Sequence, residues 1–266
     1  MPNPLFPHLD RAALVGMVHL LPLPGSPRWA GSMADVLAAA RRDAEALLAG
    51  GCDALLVENM GDLPYLRGGV APETTAAMAL ATAAVVALGA PTGLQVLAGA
   101  NREALGVAAA TGAGWIRAEA FAYAHVADEG WMDACAGPLL RARAALGAQV
   151  AIWADVRKKH ASHAVTADQS LADLARGTAF CGADALVVTG VATGAPTALA
   201  DVEEAASAGL PVAVGSGVTA QDAPTLARAA HALIVGSWLK EGGDWRAPVS
   251  EPRVRALARA IAADGA

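Results

Sequence analysis

Cysteine is sparse in this chain. Its 266 residues contain three, Cys52, Cys135 and Cys181, odd in number and widely spaced. No CxxC pair is present for zinc or redox work, and the three read as reduced, mostly buried thiols of a cytoplasmic protein. Positive charge is also short: 19 Lys+Arg stand against 25 Asp+Glu, a net charge of −6, which argues against a broad nucleic-acid footprint. The first residues, Met1-Pro2-Asn3-Pro4-Leu5-Phe6-Pro7, have neither a basic n-region nor a continuous apolar h-region, so no secretory signal is expected. Charged residues make up 17% and aromatics 4%, whereas 55% are hydrophobic, and mean hydropathy is +0.40. Such a chain is not intrinsically disordered.

High hydropathy raises the question of a membrane span, because no residue between Glu73 and Arg102 is charged. Gly89-Ala90-Pro91-Thr92-Gly93 interrupts that stretch with turn chemistry, and the part before it is rich in Ala and Thr. A buried helix followed by a buried strand is expected, with no transmembrane segment. No linker, low-complexity tract or charge run divides the chain, so 1–266 reads as one domain.

Short runs of Val, Ile, Leu and Ala recur at 13–19, 54–58, 92–97, 115–119, 150–155, 185–189, 211–214 and 232–235. Each is nearly continuous in apolar character, as strands buried on both faces are. Helical patterns separate them, several closed by glycine (Gly50-Gly51, Gly209). Strand-then-helix repeated eight times in about 250 residues predicts a single α/β (β/α)8 TIM barrel. A doubly wound open sheet is the alternative, but no GxGxxG follows the first strand.

In such a barrel the active site is built at the C-terminal ends of the strands. Polar residues collect there: His19, Glu58-Asn59, Gln95 with Asn101, Glu119, Asp155 followed by Lys158-Lys159-His160 and His163, Thr189, and the turns Gly215-Ser216-Gly217 and Gly236-Ser237. The last two stand after strands seven and eight, where backbone N–H groups commonly cradle a phosphate. Tight strand-to-helix turns alone would also need such glycines. Glu58, Glu119 and Asp155, with Lys159 and His160 or His19, supply candidates for acid–base and electrostatic catalysis. Carboxylates brought together must share protons, pair with cations or bind metal. A divalent ion held by them with His160 and His163 therefore stays open, as does simple neutralisation by Lys158 or Lys159. After the first strand, Leu20-Leu21-Pro22-Leu23-Pro24-Gly25-Ser26-Pro27-Arg28 reads as a stiff loop, either a lid whose Arg28 meets an anion or a rigid connector.

Together these motifs resemble the BtpA/SgcQ family. The resemblance is carried by Gly16-Met17-Val18-His19-Leu20 with Pro22-Leu23-Pro24-Gly25-Ser26-Pro27, and by Val57-Glu58-Asn59-Met60-Gly61-Asp62-Leu63-Pro64-Tyr65. Ala154-Asp155-Val156 with Lys159-His160-Ala161, Gly215-Ser216-Gly217-Val218 and Val235-Gly236-Ser237-Trp238-Leu239-Lys240 complete it, over residues 14 to 257. Gln95-Val96-Leu97-Ala98-Gly99-Ala100-Asn101, a carboxylate at Glu119 and Lys158-Lys159-His160-Ala161-Ser162-His163 place the chain nearer a second branch than the photosystem-linked one. The resemblance implies a TIM-like barrel and self-association into a homo-oligomer. The expected function is an enzyme of isomerase, lyase or glycosidic-cleavage type on a small phosphorylated metabolite, a sugar or ribosyl phosphate. Ligand contacts are expected from Asn59, Asp62, Gln95, Asn101, His163, Thr189, Gly215, Ser216, Gly217, Gly236 and Ser237. A non-catalytic assembly factor and a metal-dependent hydrolase are the alternatives.

Overall fold

The computed structural model describes residues 3–190 and 197–262. The expected domain of 1–266 therefore includes positions 1–2, 191–196 and 263–266, which lie outside the described residues. Among the described residues the strands are β1 (Ala13–His19), β2 (Ala54–Glu58), β3 (Thr92–Gln95), β4 (Trp115–Ala118), β5 (His125–Ala127), β6 (Gly130–Met132), β7 (Ala151–Asp155), β8 (Ala161–Ser162), β9 (Ala185–Val188), β10 (Val212–Val214) and β11 (Ala232–Val235). Eight of them close a parallel barrel in the order β1-β11-β10-β9-β7-β4-β3-β2, sealed by pairing of Ala13 with Ala232. The chain folds as a (β/α)8 barrel. Strands β3, β4 and β9 stop short of the expected 97, 119 and 189, and the residues beyond them become mouth loops. The other three strands form a small antiparallel sheet, β6-β5-β8, that the sequence patterning did not suggest.

Among the described residues, eight α-helices surround the barrel: α1 (Met33–Gly50), α2 (Pro72–Val86), α3 (Asn101–Thr111), α4 (Ala136–Ala145), α5 (Leu171–Phe180), α6 (Leu199–Ala206), α7 (Ala223–Ala229) and α8 (Glu251–Ala262). Local chemistry fixes several ends. Ser32 Oγ accepts from Asp35 N to open α1, and Gly51 at φ 105° closes it. Ser170 and Asp173 form a reciprocal capping box on α5. The uncharged stretch becomes α2 and β3, and no described helix is long and apolar enough to cross a membrane. Of the three thiols expected to be mostly buried, Cys52 is buried, Cys135 is half-buried and Cys181 is exposed just past α5.

Strand pleating divides each barrel strand into two faces. Leu14 and Val18, Leu55 and Val57, or Ile116 and Ala118 face the helices. Val15 and Met17, Leu56, Trp115, Trp153, Val187 and Ile234 fill the barrel interior. Three aromatics meet here: Trp115 and Trp153 stack at 4.8 Å, and Phe6 meets both edge-on from the N-terminal segment. Gly93 makes this stack feasible, since a Cβ there would lie 2.2 Å from the Trp115 ring. With the lower interior filled by indoles, the inward positions nearer the C-terminal ends are left for polar groups.

Candidate active site at the barrel mouth

Continuing the inward parity of each strand upward gives His19 on β1, Glu58 on β2, Gln95 on β3, Arg117 and then Glu119 on and after β4, and Asp155 on β7. Glu58, Gln95, Arg117, Glu119 and Asp155 are all buried. Arg117 was not singled out from sequence. Its signal was a single charge inside an otherwise apolar strand, two residues before Glu119 and so on the same face.

His19, Glu58 and Lys159 line one cavity of about 200 Å³ together with residues 215–219 and 235–238. His19 Nε2 lies 3.7 Å from Glu58 Oε2, and its Nδ1 lies 3.4 Å from the Trp245 carbonyl. Burial, helped by the ammonium groups of Lys240 and Lys159, lowers His19 to about 3, so its imidazole is neutral. Burial pushes Glu58 above the usual carboxylate range against the pull of Lys159 and Arg117. Burial and the Arg117 charge lower Lys159, whose ammonium has no hydrogen-bond or ion-pair partner among the described residues.

The two glycine turns have a dual explanation. A Cβ on Gly215 would crowd Val187, Thr189 and, at 3.1 Å, Arg117 Nη2; one on Gly236 would lie 2.8 Å from His19 Cε1. These glycines make room for catalytic-type side chains as well as opening backbone to the cavity. Ser237 starts a short 3-10 turn, whose first N–H groups have no partner within the turn. Ser216 is less available than expected: its hydroxyl accepts from Gly190 N at 3.1 Å and its carbonyl accepts from Thr197 Oγ1.

The other half of the mouth is built differently. Arg117 grips Asp155 through Nε and Nη2, the latter at 2.9 Å, and its Nη1 reaches the Gly215 carbonyl at 3.5 Å. Glu119 accepts from Gln95 Nε2 at 3.2 Å and stands 3.5 Å from Lys158 Nζ. Glu129, from the turn between β5 and β6, holds Lys158 at 2.7 Å. Burial, with Asp155 and Glu129 adding repulsion and Lys158 and Arg117 opposing, raises Glu119 to about 7. The carboxylates are therefore neutralised mainly by Arg117 and Lys158, and no group of three or more His, Cys, Asp and Glu able to hold a metal occurs among the described residues.

Several expected ligand residues instead hold loops. Asn59 Oδ1 accepts from Leu97 N, and its Nδ2 donates to Asp62. Asp62 accepts from Leu23 N at 2.7 Å, and Gly61 packs against the backbone of residues 20–22. The proline loop is thereby a pinned connector, with Arg28 exposed on it. Asn101 Nδ2 donates to the Glu119 carbonyl. His163 contacts the Lys158 carbonyl and, with Thr189, borders a separate cavity of about 130 Å³. His160 is exposed, at φ 55°, and does not line the main cavity.

The BtpA family model matches residues 10–263. The chain belongs to the BtpA family. An uncharacterized mitochondrial protein of Caenorhabditis elegans is 42% identical over 253 residues, covering 92% of this chain and 91% of that one. The photosystem I biogenesis protein BtpA of Synechocystis is 38% identical over 255 residues, covering 94% and 88%. Among solved structures, a thiamine phosphate pyrophosphorylase from Pyrococcus furiosus superposes with a TM-score of 0.59 at 15% identity, covering 95% of this chain and 96% of that one. That likeness speaks for the barrel fold. The mitochondrial relative gives the cytoplasmic expectation no support.

Proposed function

We propose that this BtpA-family chain is an enzyme acting on a small phosphorylated metabolite, of the sugar-phosphate or ribosyl-phosphate class, by acid–base chemistry. The observation that carries the reading is the shared cavity: a neutral imidazole, a protonatable carboxyl and an unpaired ammonium line the same space as two glycine turns. The phosphate sits against residues 215–217 and 236–237, where the start of the 3-10 turn at Ser237 and the Lys159 ammonium favour an anion. Glu58 moves the proton, since burial raises it above a solvated carboxylate and so makes it the stronger base. With Nδ1–H turned to the Trp245 carbonyl, His19 presents Nε2 toward Glu58 and can exchange that proton. Lys159 meets developing oxyanion charge, and Arg117 adds a fixed positive charge behind it. Isomerisation, epimerisation, aldol cleavage and glycosidic cleavage all use these roles. The phosphate-handling enzyme that shares the fold is in keeping with this reading.

A thermal-shift screen of phosphosugars tests the proposal, since a ligand that binds the folded state raises its midpoint. Ser237→Asp is the paired variant: a carboxylate at the start of the turn repels phosphate while suiting the turn's N-terminus. Stabilisation of the parent that vanishes in Ser237→Asp supports the site. Equal binding by both removes it. The name of the Synechocystis relative favours a second reading, a non-catalytic assembly factor. Under it no phosphosugar stabilises the chain, and exposed Leu66, Val126 and Trp131 near the mouth serve as contact surface.

A further inference from the structure

The proposed chemistry leaves a second cavity of about 260 Å³ unused, on the other side of His19. The wall between the two is the segment 241–247. Gly242 and Gly243, at φ 61° and 77°, turn it so that Gly243 borders the first cavity while Trp245 and Arg246 border the second. The Trp245 ring stands edge-on to the His19 imidazole, at 6.3 Å between centroids. His19 lines both spaces.

Three guanidinium groups from three separate elements surround this second opening: Arg28 from the proline loop, Arg42 from α1 and Arg246 from the dividing segment. The Arg42 and Arg246 side chains are 62% and 58% exposed, each with its nearest carboxylate 3.6 Å away, so their donors remain available. Arg246 is also steadied by stacking 4.3 Å over the Trp245 ring. At the floor, Lys240 and Asp43 form a buried pair at 2.5 Å. That pair uses one carboxylate oxygen only. Asp43 Oδ1 is buried and accepts no hydrogen bond among the described residues, with the Arg42 guanidinium facing it at 3.6 Å. The floor of the cavity thus carries one carboxylate shared by Lys240 and Arg42, and the cations of the rim outnumber it.

We propose that this cavity is a second anion subsite. It takes the phosphate or carboxylate of a small organic ligand on the arginine rim formed by Arg28, Arg42 and Arg246. Guanidinium groups suit either anion, and the proline and tryptophan walls suit the carbon frame between them. A group bound here and one bound at the glycine turns approach the same imidazole from two sides. The active centre thus accommodates either a ligand with two anionic ends or two anionic substrates. This subsite rests on residues distinct from the phosphate turns, so the two assignments fail independently.

The test is calorimetric titration of the full chain with inorganic phosphate into the tens of millimolar. The parent should show two sites. The double variant Arg42→Ala/Arg246→Ala changes only exposed side chains and should weaken one site by about tenfold or more while sparing the other. Arg28→Ala, on a different element, should weaken the same site less. Ser237→Asp should remove the remaining site alone. A single phosphate site, lost in Ser237→Asp and untouched by the arginine variants, overturns the second subsite and leaves the first assignment standing. A single site lost only in the arginine variants supports the subsite and overturns the first. Absence of phosphate binding in the parent overturns both.

Discussion

The two halves of the barrel mouth carry similar residue types and use them in opposite ways. On the side of β4 and β7, Asp155 is closed by Arg117, whose side chain also borders the open cavity, and Glu119 by Lys158 with Glu129 from the β5–β6 turn. On the side of β1, β2, β10 and β11, His19, Glu58 and Lys159 face open space beside the glycine turns. Buried charges that find partners give structure; those left facing a cavity keep free energy available for a ligand. Residue type alone does not separate the two outcomes.

The sharpest way to break the comparison is Glu58→Gln. If the open half performs catalysis, turnover of whichever phosphosugar stabilises the parent should fall by about 10²- to 10⁴-fold. Stability should hold or rise, because burial already disfavours the charged form of Glu58. A stability loss with turnover unchanged would move Glu58 into the structural half.

Arg117→Met addresses the closed half. It leaves Asp155 buried without its partner, and removal of one member of a buried pair costs about 3–5 kcal/mol. Urea unfolding should register that loss even with no ligand present. A midpoint like the parent's would mean that Asp155 is solvated or protonated and the closed half is not held as described.

Gly236→Ala probes the border. Its Cβ would lie 2.8 Å from His19 Cε1, so the imidazole must move, at a cost of about 1–3 kcal/mol. Turnover should drop with it, and Gly236→Ala combined with His19→Ala should recover stability relative to Gly236→Ala added to the parent. Independent, additive effects would show that the contact relaxes elsewhere.

The smallest effect is expected from Glu119→Gln, read as pH dependence. Glu119 rises from 4.5 to about 7 on folding. The folded chain therefore holds a proton that the unfolded chain has released, and this contribution to stability is present below about pH 4.5 and lost as pH approaches 7. His19, lowered from 6.5 to about 3, has the opposite sign, its contribution being lost as pH falls through that window. Between about pH 4.5 and 6.5 the two slopes oppose each other, so Glu119→Gln should uncover the His19 slope there, with stability falling as pH drops from about 6.5 toward 3. An unchanged slope would mean that Glu119 ionises normally beside Lys158.

Much of this protein was legible in its sequence. Apolar runs of strand length, separated by helix-length segments, require parallel pairing, because only a crossover of that length returns the chain in the same direction. Eight of them close a barrel, and their order alone located His19, Glu58, Asp155 and both glycine turns at one end. The period of two along each strand even held the signal for Arg117, since a charge of inward parity in a buried strand must meet a partner inside. What sequence order could not decide was which charge meets which. Lys158 and Lys159 are neighbours in the chain, yet one is bound by Glu129 and Glu119 and the other turns to the cavity, because the β5–β6 turn that supplies Glu129 comes from elsewhere in sequence. Asn59 and Asp62 resembled ligand groups, but backbone donors at Leu97 and Leu23 reached them first. Patterning along a chain fixes which faces are buried, through the hydrophobic effect acting on local periodicity. Pairing of charges across loops depends on distances of a few ångströms between distant segments, and only the closed barrel sets those.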